Sequence, residues 1–123
     1  MLDEKKKVLV IGASENTERY ANKAVVKLLQ NNYEPIPLGV KEGSINGIKI
    51  ITDQPLLKQV DTVTLYINPT IQKEYYEYVL QLKPRRIIFN PGTENAEFEK
   101  LARESGIETV EACTLVMLSI KTF

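Results

Sequence analysis

The run Lys7-Val8-Leu9-Val10-Ile11, broken off at Gly12, limits the folds open to this chain more than any other stretch. Its last four residues are β-branched or leucine, and no polar residue alternates with them. That pattern predicts a strand buried on both faces, as in a parallel sheet covered by helices. Gly12 supplies backbone freedom where the strand stops. The small turn Ala13-Ser14 follows, and then a helix built on Tyr20, Ala21, Ala24, Val25, Leu28 and Leu29. A strand, a glycine turn and a helix make the first half of a nucleotide-binding βαβ unit. The amides of the turn are expected to be bare at a helix start, where unpaired donors and the helix dipole attract phosphate.

The remaining chain repeats this alternation. Asn31-Asn32 stops the first helix, because Asn tolerates left-handed angles. Tyr33 to Leu38 reads as a second strand, in which Pro35 and Pro37 cost ladder donors and leave one side poorly paired. Gly39 to Gly47 is a loop by composition, leading to a short edge strand at Ile48-Lys49-Ile50-Ile51. Asp53 is placed to cap a short helix with Pro55, Leu56 and Leu57. Asp61 to Ile67 is the next strand, ended by Asn68-Pro69, and Thr70 is expected to cap a helix carrying Ile71, Tyr75, Tyr78, Val79 and Leu82. Arg86 to Phe89 is a strand closed by Asn90-Pro91-Gly92. Thr93 or Asn95 caps a helix with Phe98, Leu101 and Ala102 inward, Gly106 ends it, and Ile107 to Val110 is the last strand. The apolar tail from Cys113 to Phe123 reads either as a short helix or as a docking surface for a second copy or a partner subunit. The fold class is therefore α/β, a single-domain, doubly wound, mostly parallel sheet with helices on both faces. Its strand C-terminal loops, Gly12-Ala13-Ser14, Gly39 to Lys41, Asn68-Pro69-Thr70 and Asn90-Pro91-Gly92, share one rim, where ligands of such sheets bind.

Composition narrows the function. The 123 residues suffice for one domain with a core. Sixteen basic and sixteen acidic residues cancel, so nothing draws the chain to nucleic acid or an anionic membrane. It has no histidine, which removes the commonest general base and most zinc and iron sites, and no metal is expected. Cys113 is the only cysteine, so no internal disulfide forms, and a reducing, cytoplasmic setting is expected. The charged start, Met1 to Lys7, lacks the apolar core of a signal peptide, and no apolar run approaches the roughly 20 residues of a membrane span.

A nicotinamide site wants three spaced glycines and an acidic residue about 20 positions on. Here Gly12 stands alone, and Leu38-Gly39 followed by Lys41 suits a ribose phosphate better than a free diol. Gly12-Ala13-Ser14, Glu18-Arg19-Tyr20, Asn22-Lys23-Ala24, Pro37, Asp61-Thr62-Val63, Pro91-Gly92-x-x-Asn95 and Cys113-Thr114-Leu115 together resemble the small stand-alone CoA-binding proteins. These are relatives of the N-terminal domain of succinyl-CoA synthetase alpha subunits, and the resemblance runs in order through nearly the whole chain.

The resemblance implies a Rossmann-type fold with the ADP part of coenzyme A across the strand ends. Gly12, Ala13 and Ser14 would hold phosphate and Lys41 the 3′-phosphate side. Asn68 and Pro69 would border the adenine or pantetheine path, with Gly92 and Asn95 near the thiol. Cys113 itself reads as a semi-buried packing residue, the alternative being a thiol near that of a bound coenzyme, where a mixed disulfide could form. The function expected is non-catalytic binding of coenzyme A or an acyl-CoA, a small nucleotide ligand. The alternative is an enzyme, either a reductase using an NADP-type cofactor or a fragment of an acyl-CoA ligase, although a ligase needs a phosphorylatable histidine.

Overall fold

The computed structural model describes residues 4–123, so Met1 to Asp3 of the charged start lie outside the described residues. The first strand, β1, is Lys7–Ile11, with Val8 to Ile11 fully buried. Helix α1, Tyr20–Gln30, follows, and then strand β2, Glu34–Leu38. A hairpin of β3, Ser44–Ile45, and β4, Ile48–Lys49, precedes strand β5, Val60–Leu65. The short helix α2, Pro69–Gln72, runs through a 3-10 turn at Lys73–Tyr75 into α3, Tyr76–Leu82. Strand β6, Arg86–Phe89, helix α4, Ala96–Glu104, strand β7, Glu108–Glu111, and helix α5, Thr114–Ser119, complete the chain.

Five strands form one sheet in the order β2-β1-β5-β6-β7, every neighbouring pair parallel. The chain winds outward from β1 to β2, then crosses back to β5 on the other side of β1. This α/β Rossmann-like arrangement puts a topological switch point between β1 and β5, where ligands of open sheets bind. Alternation along the strands divides the core. Leu9, Ile11, Val63, Leu65, Ile87 and Phe89 face Val79, Phe98 and Ala102 of α3 and α4. Val8 and Val10 face Val25, Leu28 and Leu118 of α1 and α5.

The prolines of β2 sit on its outer side. Glu34 donates to the Lys6 carbonyl and Leu38 accepts from Gly12, so those residues face β1, whereas the Pro37 carbonyl accepts from Ile51 outside. Pro35, two residues from Pro37, faces outward too. Their missing N–H groups therefore fall on the outer margin, where only Ile51 bridges, while β2 keeps its five-residue register with β1.

Several sequence expectations are corrected. The stretch read as a loop from Gly39 to Gly47 contains β3, which pairs with β4 across an Asn46-Gly47 turn with positive φ at both residues (47° and 82°). Of the edge strand read at Ile48 to Ile51, only Ile48–Lys49 is strand, and Ile51 bridges to Leu38. No helix forms at Asp53 to Leu57. Leu57 donates back to Pro55, the Pro55 carbonyl accepts from the Tyr78 hydroxyl at 2.8 Å, and Leu56 is left exposed. Asn68, not Thr70, caps α2, accepting from the Ile71 amide at 3.0 Å with Pro69 in the first turn. Asn95 is the cap of α4. The tail forms α5 and packs on its own chain. Leu118 is buried, and the Phe123 ring lies 4.9 Å from Tyr33 and 4.4 Å from the Arg86 guanidinium. Among the described residues, no helix is long and apolar enough to cross a membrane.

Candidate functional site

Where β1, β2, β5 and β6 end, their loops and the start of α1 enclose an open cleft of about 720 Å³. Gly12, Ala13, Ser14, Lys41, Asn68 and Gly92 line it, as the sequence expected. Pro69, Asn95 and Cys113 do not. Pro69 is turned into the first turn of α2. Asn95 is buried beneath the rim, donating to the Gln72 amide oxygen at 2.9 Å and the Tyr76 hydroxyl at 2.8 Å. Cys113 is half-buried at the start of α5, beside Tyr66.

The glycine turn works differently from the expectation. The amides of Gly12 and Ala13 both donate to the Leu38 carbonyl at 2.9 Å. They fasten β1 to β2 and are not bare donors. At Gly12, with φ of 102°, an added Cβ would lie 2.9 Å from the Tyr66 carbonyl oxygen and 3.1 Å from the Ile67 side chain. Gly12 thus lets the β1 turn approach the end of β5, the switch point itself. The strand-to-helix joint is also longer than expected, since α1 begins only at Tyr20.

The donors left for an anion lie there. Arg19, in extended conformation, precedes α1 and makes no capping bond, and the first turn holds no acidic residue. The amides of Tyr20, Ala21 and Asn22 therefore have no side-chain partner at the positive end of an eleven-residue helix. Arg19, Tyr20 and Ala21 all line the cleft. Asn22 is buried and donates to the Ser14 carbonyl at 2.8 Å, tying the loop to the helix. Arg19 and Lys41 form no ion pair among the described residues. Glu15, which would oppose an anion, has its carboxylate on the Ser44 amide at 2.9 Å.

The far side of the cleft is apolar. Tyr66, Ile67, Ile71, Tyr75 and Pro91 line it. Buried Gln72 joins its two loops, donating to the Ile67 and Thr93 carbonyls at 2.8 Å each. Of these, the sequence placed Ile71 and Tyr75 on the inward face of a helix and Pro91 in a rim loop, but none of the five was assigned to the ligand. The others, Tyr66 and Ile67, follow a strand end. The signal that could have found Ile67 is its position just past β5, opposite Gly12.

Tyr66 turns its hydroxyl inward, where it has no hydrogen-bond partner. Nearby, Thr64 and Thr114 bond each other at 2.7 Å, and Asn90 donates to Thr64. Burial pushes the Tyr66 phenol up to about 12, eased by the Thr114 hydroxyl and reinforced by Cys113. Burial, with the charge of Asp53, does the same to Tyr78, also to about 12. Both folded values exceed the usual phenol pKa of about 10, so their stabilisation is whole below that pH and is lost as pH rises through 12. Urea midpoints are expected to hold level to about pH 9 and fall between about pH 10 and 12. Tyr66→Phe should remove part of that slope, and an unchanged slope would show that Tyr66 titrates as it does in water.

The chain matches the family described as CoA binding domain over residues 6–119. A crystal structure of an uncharacterized protein is 52% identical with a TM-score of 0.95, covering 98% of this chain and 100% of that one. A hypothetical protein from Pyrococcus horikoshii OT3 is 27% identical with a TM-score of 0.85, covering 94% of this chain and 83% of that one. A dinucleotide forming acetyl-coenzyme A synthetase 1 from Ca. Korarchaeum cryptofilum, in complex with phosphate and ADP, shares the fold at 14% identity and a TM-score of 0.71. The match covers 87% of this chain and 25% of that one. No curated protein matches. With the family match spanning nearly every element of the sheet and both sides of the cleft, this chain belongs to the CoA binding domain family.

Proposed function

We propose that the chain binds coenzyme A in the rim cleft, through the ADP and pyrophosphate part, as a binding module without catalysis of its own. The observation that carries this reading is the start of α1, without a side-chain cap and opening into the switch-point cleft beside Arg19 and Lys41, which form no ion pair among the described residues. Unmet amides at a helix start and charge-assisted donors are what a pyrophosphate requires. Lys41, on the loop after β2, is the group assigned to the 3′-phosphate. The non-catalytic part rests on the lining. Its Tyr66 hydroxyl is buried away from the cleft, Glu15 is engaged with Ser44, and no nucleophile stands against a base among the described lining residues.

Titration calorimetry with coenzyme A, dephospho-coenzyme A, NADPH and AMP tests the reading. Coenzyme A is expected to bind most tightly. Arg19→Glu should weaken it by about tenfold to a hundredfold, the loss of one charge-assisted hydrogen bond plus repulsion. Lys41→Ala should erase the preference over the dephospho form. Tighter binding of NADPH, or indifference to Arg19→Glu, would overturn the proposal.

A further inference from the structure

We infer that the ligand is an acyl thioester of coenzyme A in preference to the free thiol, with the acyl chain lying over the β5–β6 half of the cleft. This rests on the coenzyme A reading above and adds the class of group attached to it.

The sheet order sets the order of the rim loops: that after β2, then those after β1, β5 and β6. Charge is sorted along that line. Every charged residue lining the cleft, Glu15, Arg19, Lys41 and Glu42, comes from the β1 and β2 loops. The lining contributed beyond β5 and β6, from Tyr66 to Tyr75 and from Pro91 to Thr93, includes none. The cleft therefore suits a long molecule that is charged at one end and apolar at the other.

The uncharged half also has apolar surface left without cover. Ile71 is 38% exposed, and Tyr75, one helical turn on, is half-buried on the same side of the cleft. Gly92, exposed on the β6 loop that also lines the cleft, adds no side chain to crowd that half, and a Cβ built there would meet nothing within 4 Å. Pantetheine carries amides and a small thiol, and it would leave Ile71 and Tyr75 wet. An acyl chain would cover them. Tyr20 and Val40 are more exposed still, at 68% and 86%, but they flank the charged end, where the flat adenine of the ligand would cover them.

Each methylene buried should tighten binding by about fourfold. Calorimetry on the full chain with coenzyme A, acetyl-, butyryl- and octanoyl-coenzyme A is expected to show affinity rising with chain length. Octanoyl-coenzyme A should bind at least about tenfold tighter than coenzyme A. Ile71→Asn, at an exposed position where folding is checked by an unchanged melting curve, should collapse that ratio towards one. Equal affinity for coenzyme A and octanoyl-coenzyme A would overturn the inference while leaving the coenzyme A reading standing. A length series abolished by Val40→Asn and not by Ile71→Asn would place the chain at the other end and overturn it too. Absence of binding by every member would bring down both readings together.

Discussion

Gly39→Ala is expected to destabilise the protein by about 3 kcal/mol or more, through overpacking against main chain. A Cβ at Gly39 would collide with the Ala13 carbonyl oxygen. A flexible side chain in that place would yield, but this neighbour is backbone, held on both sides. Ala13 is fixed by its amide on the Leu38 carbonyl, and Gly39 by its own amide on the Ile51 carbonyl at 3.0 Å. Relieving the contact means parting β1 from β2 or β2 from the hairpin strap. Urea denaturation measures the loss, with Gly47→Ala as reference, because a Cβ there meets nothing within 4 Å. The reference should cost only the left-handed backbone term, about 1–2 kcal/mol. Equal losses in the two variants would show that the β1–β2 corner relaxes freely. Gly12→Val, for the same reason, is a poor test of ligand contact: it would collide with Tyr66 and Ile67 before any ligand arrived.

Gln72→Leu is expected to cost about 3 kcal/mol, although the volume hardly changes. The side chain is fully buried and satisfied at both ends, donating to the Ile67 and Thr93 carbonyls and accepting from Asn95. Leucine would leave the Ile67 and Thr93 carbonyls without that donor and the Asn95 amide with only Tyr76 to donate to, at about 1 kcal/mol or more each. Because Ile67 and Thr93 both line the cleft, the variant should also speed hydrogen exchange in residues 91–95 and weaken coenzyme A binding. A stability change under about 0.5 kcal/mol would mean that Gln72 fills space only.

How far the chain could be read without coordinates depended on whether a signal was local. Val8 to Ile11 announced a strand buried on both faces because nothing polar interrupts it, and the outer position of Pro35 and Pro37 followed from what proline lacks. Asn95 was legible as a cap because capping acts within three residues. The helix expected at Pro55 failed because adjacent Leu56 and Leu57 cannot share one helix face: Leu57 packs on the core while Leu56 is exposed, and the Tyr78 hydroxyl takes the Pro55 carbonyl from a distance of 23 residues. The error at Gly12 and Ala13 is of the same kind. Their competitor for the amides is the Leu38 carbonyl, on another strand. Arg86 could not have been anticipated as a buried cation on a central strand. Its environment is assembled from Thr62, which accepts at 2.9 Å, and from the ring of Phe123 at the other end of the chain.

The outward prolines of β2 have a bearing on how this molecule behaves in a crowd. A sheet margin with regular donors is a template on which a sibling chain can zip itself. With hydrogen missing from the nitrogens at 35 and 37, and the Pro37 carbonyl and Gly39 amide already occupied by Ile51, that flank offers a newcomer almost nothing to hold. Growth of a fibril would have to start from the β7 flank, where Glu108 and Glu111 bracket the strand with like charges that repel an in-register copy.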